Sequence, residues 1–167
     1  MSDSDYLKAL LASYEDEVIG EAYFRGLIDR FSVEAQREKL ALLAEVERHT
    51  AGVIRPLVDR RGLTSRPLAV LSELGRTEAA AYRGVSWPDL MQEMAGTYQV
   101  FVEEFRAVEQ MAPADDRPAL SRLTEHELLI IGFAEKELAG RTDSLAAIRR
   151  FLEDFTPAVD TGAPGDF

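Results

Sequence analysis

The chain has 167 residues, 46% of them hydrophobic, with 30 acidic against 19 basic side chains and a formal net charge of −11. These totals fit one domain with a real core. The acid excess opposes a nucleic-acid backbone or an anionic membrane as partner, since both need a basic face. With no cysteine present, disulfides, zinc–thiolate sites, iron–sulfur clusters and cysteine nucleophiles are excluded.

The first segment, MSDSDYLKAL, has neither the basic nor the apolar region of a secretory signal. The longest clean apolar run, LLIIGFA at 128–134, is far short of a membrane span. A soluble, cytoplasmic protein is the expectation.

Four long segments carry the three-and-four spacing of an amphipathic helix. The first runs from about Ser4 to Phe31, with Leu7, Leu10, Tyr14, Phe24, Ile28 and Phe31 in its apolar row. Ser32 is placed to cap the second, which carries Leu40, Leu43, Ile54 and Leu57 to about Arg61 and stops at Gly62. Residues 62–86 form a long crossover whose middle, PLAVLSELGRTEAAAYRG, reads as a short helix. The third segment opens at SWPDLMQEM, with Ser86 and Asp89 at capping-box spacing. Its row is Trp87, Met91, Met94, Tyr98, Phe101, Phe105 and Val108. The fourth begins near Asp116–Pro118, carries Leu120, Leu123, Ile130, Ala134 and Leu138, and stops at Gly140. A fifth helix over 144–155, after an Asp143 cap, has an apolar face that must pack on the bundle or on a second subunit. Residues 157–167 lack apolar period and read as a flexible tail. Short links between segments one and two, and three and four, make antiparallel hairpins. One long crossover then joins the two hairpins. The fold class is therefore all-α: a single bundle over residues 1–156.

Carboxylates interrupt these apolar rows. Glu17 and Glu21 fill the gap in the first helix, Glu47 and Thr50 the gap in the second, and Glu127 the gap in the fourth. Glu17 and Glu47 lie equally far from the Ser32 turn, so they face each other. Glu127, counted from the link between the third and fourth helices, falls at the same level, near Phe101–Glu104. Buried acids raise one another's pKa and lose hydration, so a cation, protons or arginines must compensate them. No lysine or arginine lies on the inner rows at this level, and an oxygen-rich site suits iron or manganese. His126, next to Glu127, borders the inner face, as Glu104 does. His49 lies about 100° round the helix from Thr50 and faces outward or into a groove.

On these residues the chain resembles the ferritin-like, rubrerythrin-like di-iron carboxylate proteins. EVIGEAYF (17–24) resembles their first-helix motif, with Glu17 and an aromatic, Phe24, seven residues on. ERHT (47–50) and ELLI (127–130) occupy the second- and fourth-helix Glu-x-x-His positions, with Thr50 and Ile130 where the family carries histidine. The resemblance implies a ferritin-like four-helix bundle and a metal site drawn from Glu17, Glu47, Glu127, Glu21, Glu104 and His126. The metal would be iron or manganese, with redox activity toward dioxygen or peroxide if the family chemistry is kept. A homodimer is the expected assembly. The other reading is a metal-free ferritin-like scaffold that works as a binding or assembly module.

Overall fold

The computed structural model describes residues 3–154, so the tail and Phe155 lie outside the described residues. Everything described is helix or connection, with no strand. The helices are α1 (Asp3–Ile28), α2 (Glu34–Arg60), α3 (Leu68–Ala80), α4 (Trp87–Thr97), α5 (Gln99–Met111), α6 (Arg117–Leu138) and α7 (Ala146–Glu153). None is long and apolar enough to cross a membrane.

Ion pairs at the two ends fix how the helices run. At one end Asp116, before α6, accepts from Tyr6 Oη of α1 at 2.8 Å. It also accepts from Arg60 and Arg61 at the end of α2, at 3.0 and 2.7 Å. At the other end Glu137 of α6 accepts from Lys39 of α2 at 2.7 Å and from Trp87 Nε1 of α4 at 3.0 Å. The start of α1 thus meets the end of α2 and the start of α6, while the starts of α2 and α4 meet the end of α6. Helix α3, inside the crossover, packs along α1. Its Gly75 has no room for a side chain: a Cβ there would lie 2.3 Å from Ile19 O and 2.7 Å from Tyr23 N. Gly26 meets Ala79 in the same way, a Cβ falling 2.7 Å from the alanine methyl.

Several local expectations are corrected. The second helix begins at Glu34 with Val33 as its N-cap and no side-chain cap. Ser32 therefore does not cap it; Arg37 Nη1 instead donates back to Ile28 O at 2.8 Å, closing α1. The third segment breaks at Tyr98 into α4 and α5. Gly96 and Thr97 weaken the helix there, and Thr97 Oγ1 donates to Glu93 O at 2.8 Å, competing with the backbone. Beyond the break Val102 is fully buried, whereas Phe101 is 40% exposed. The fifth helix, α7, begins at Ala146 with Leu145 as its N-cap and no side-chain cap, so Asp143 does not cap it. Of the two places expected for its apolar face, the bundle takes it: Ile148 and Phe151 are buried, and the Arg122 guanidinium lies 3.8 Å from the Phe151 ring centre. Leu138, read as part of the fourth apolar row, is exposed. Other sequence signals match the structure. Ser86 accepts from Asp89 N at 3.2 Å, and Gly62 and Gly140 take φ of 64° and 66° after their helices.

The core is split in two. One apolar cluster gathers Phe24, Leu27, Leu43, Met91, Met94 and Phe133. The other gathers Leu10, Tyr14, Ile54, Leu57, Phe105 and Leu123. Between them along α1, α2 and α6 lie Glu17, Glu47, Thr50, His126 and Glu127, all buried.

The Asp116 clamp predicts an acid response. Burial alone would raise this carboxyl, but Tyr6 and the two arginines outweigh it and hold it below the ordinary range. A depressed folded pKa gives stability that is present above the unfolded value of about 3.9 and is lost as pH falls through the folded value. Asp116→Asn is expected to cost about 1–3 kcal/mol at neutral pH. Urea unfolding should show the gap from the parent protein closing below about pH 4.

Candidate metal centre

Each member of the buried polar layer is positioned by its helix. Glu17 sits on the α1 stripe between Tyr14 and Phe24, and Glu47 on α2 between Leu43 and Ile54. His126 and its neighbour Glu127 share the broad inner face of α6, which is touched by α2, α4, α5 and α7. Glu17 is 1% exposed and His126 fully buried. His126 Nε2 is the centre of the group: Glu17 Oε2 and Glu127 Oε1 lie 3.5 Å from it and Glu47 Oε1 lies 3.6 Å. These separations exceed a hydrogen bond, which for nitrogen and oxygen spans about 2.7–3.2 Å. Glu17 Oε2, Glu127 Oε2 and both ring nitrogens of His126 have no hydrogen-bond partner.

The spacing has a simple reading. Ligands about 2.0–2.2 Å from a common ion stand about 3.0–3.5 Å apart along the edges of an octahedron or tetrahedron. One ligand atom from each of Glu17, Glu47 and His126 lies within 4.8 Å of the others. This buried trio could hold a metal ion, with Glu127 beside it. An imidazole with carboxylates suits iron, manganese or zinc.

The electrostatics are those of crowded buried acids. Burial, then Glu47 and Glu127, raise Glu17 well above the carboxylate range against the opposing pull of His126. Burial likewise raises Glu127 to about 8, with Glu47 adding and His126 opposing. Burial would lower His126, but the three surrounding carboxylates outweigh it and raise the imidazole to about 10. The layer is a concentration of negative charge that draws in any positive species, whether proton or metal.

Gly20 completes the site. A Cβ at this position would lie 2.5 Å from Glu47 Oε2 and 2.9 Å from its Cδ, so the missing side chain on α1 is the notch that admits the Glu47 carboxylate. Phe105 covers the imidazole with ring centres 5.8 Å apart.

Of the six expected ligands, the structure brings Glu17, Glu47, Glu127 and His126 together and sets two aside. Glu21 points into a groove between α1, α2 and α3, where it pairs with Arg25 at 2.9 Å. By helix geometry Gly20 and Glu21 flank the Glu17 row on opposite sides; the Gly20 side meets Glu47, and the Glu21 side opens on that groove. Glu104 is exposed on α5, because Val102, Phe105 and Val108 take the inner face. Thr50 spends its hydroxyl on Val46 O at 2.8 Å. Ile130 of α6 is buried in the apolar core. His49 leans on Phe151 of α7, ring centres 5.5 Å apart, away from the centre. The one sequence signal for Gly20 is its place inside a helical pattern, where a glycine marks close approach.

A cavity of about 480 Å³ reaches this layer from outside between α1, α3, α4 and α5, with Glu17, Glu47 and Glu127 in its lining. No family model, characterised protein or solved structure matches the chain, which leaves the geometry of the centre to carry its interpretation.

Proposed function

We propose that this protein is a ferritin-like helical bundle that binds a metal ion of the iron or manganese type through Glu17, Glu47 and His126, with Glu127 as a further ligand. The observation that carries this reading is the ring of three carboxylate oxygens 3.5–3.6 Å from one buried imidazole nitrogen. That is too far for hydrogen bonds and close to the spacing of ligands around an ion. The order of helices, two antiparallel pairs joined through α3, supports the ferritin-like arrangement. An iron or manganese ion there would be redox-active, and the adjoining cavity gives small molecules a way to it.

A second reading has one observation in its favour. The raised His126 pKa makes the imidazolium a built-in cation, and a metal-free scaffold could rest on that charge alone. The unbonded oxygens and ring nitrogens weigh against it, because buried polar groups left unpaired are costly.

Elemental analysis of protein purified from iron- and manganese-supplemented cells separates the two. Metal near one equivalent per chain, lost in Glu47→Ala, is the expected result. A metal-free protein that Glu47→Ala makes more stable would support the scaffold, because the buried acid would then be an unrelieved cost.

A further inference from the structure

The cavity above the buried layer carries a chemistry of its own. Its walls are aromatic and its charges are of one sign. Tyr23, Tyr82, Tyr98 and Phe101 line it. The rings are held by one another: Tyr23 and Tyr82 meet edge to face at 5.6 Å, and Tyr98 and Phe101 at 5.4 Å. Tyr82 Oη donates to Glu93, fixing one wall to one acid. Asp16, Glu78 and Glu93 add carboxylates nearer the surface, and no lysine, arginine or histidine is part of the lining. Arg66, the cation that acts on Asp16, is tied to Glu15 at 2.8 Å. At the bottom, Glu17 and Glu127 each keep a buried oxygen without a hydrogen-bond partner.

An acidic mouth alone would suit any cation. The aromatic walls select among cations. Ring faces attract weakly hydrated organic cations, whereas small metal ions seek oxygen or nitrogen ligands. The volume, about 480 Å³, falls among small-molecule sites of about 300–1,000 Å³. The groove on the other side of α1 shows the contrast. It is lined by four arginines, Arg25, Arg48, Arg55 and Arg76, and each is already paired with a carboxylate.

We propose that the cavity bounded by Tyr82, Tyr98, Phe101 and Glu93 binds a small organic ammonium compound and presents it to the buried layer. As an assignment of substrate class this rests on the metal reading; the recognition of the ammonium group does not.

The test is calorimetric titration of the full chain with choline and with 3,3-dimethylbutan-1-ol, its uncharged isostere, alongside elemental analysis of the same preparation. Choline is expected to bind with a Kd of about 1 mM or tighter and the isostere about tenfold more weakly or worse. Phe101→Ala and Glu93→Gln should each weaken choline about fivefold or more, with metal content and helical circular dichroism unchanged. Equal binding of the two probes, no choline binding at millimolar concentration, or full binding in both variants overturns the proposal. A protein that holds metal but ignores choline sinks this inference and leaves the metal reading standing. A metal-free protein that binds choline does the reverse.

Discussion

His126→Ala is expected to cost about 3–5 kcal/mol of stability at neutral pH and to abolish metal binding. The imidazole is fully buried at the meeting point of Glu17, Glu47 and Glu127. It serves two ends at once: a nitrogen ligand when a metal is held, and the positive partner of the carboxylates when none is. Removing it leaves three buried acids with no cation among them and opens a hole beneath Phe105. Urea unfolding and metal analysis of the same preparation check both halves. The neighbouring Thr50→Ala serves as the comparison. Its hydroxyl bonds only to its own helix, so it is expected to cost about 1 kcal/mol and to leave metal content intact. A His126→Ala protein as stable as its parent would contradict the electrostatic account of the layer.

Gly20→Ala is expected to separate binding from stability. The new methyl must share space with Glu47 Oε2, 2.5 Å away in the present arrangement. The atom in the way is the far end of a flexible side chain, so Glu47 turns aside and the helices keep their places. Alanine is also the better helix former, by about 1 kcal/mol over glycine. The variant should therefore unfold at the same or a slightly higher urea concentration. Metal affinity should fall about 10–100-fold, the usual effect of disturbing the residues that orient a ligand. Affinity unchanged by Gly20→Ala would place Glu47 outside the ligand set.

Much of this centre is legible in the sequence because acids on an apolar row are conspicuous. Glu17, Glu47 and Glu127 each interrupt a stripe that otherwise builds the core, and their spacing from the turns sets their level. His126 is harder to read. A row stepping from Leu123 to Glu127 to Ile130 passes beside it, and only the crowding of α6 by four other helices widens the buried face enough to include it. Glu21 fails for a geometric reason: it stands about 40° round the helix from Glu17, on the side that faces the arginine-lined groove. The break at Tyr98 is a tertiary event with only a weak local signal in Gly96 and Thr97. The clamps on Asp116 and Glu137 are invisible in sequence, because their partners lie 110 and 98 residues away and no local pattern links them. Gly20 and Gly75 look alike on paper, yet one makes room for a ligand and the other for a neighbouring helix.

The central claim is that Glu17, Glu47 and His126 hold an ion. Anomalous diffraction from a crystal of the 167-residue chain soaked in manganese tests it most directly. The account predicts a manganese peak about 2.0–2.3 Å from His126 Nε2 and from an oxygen of each of Glu17 and Glu47. A well-ordered site with no peak, and with His126 hydrogen-bonded directly to the carboxylates, would contradict it.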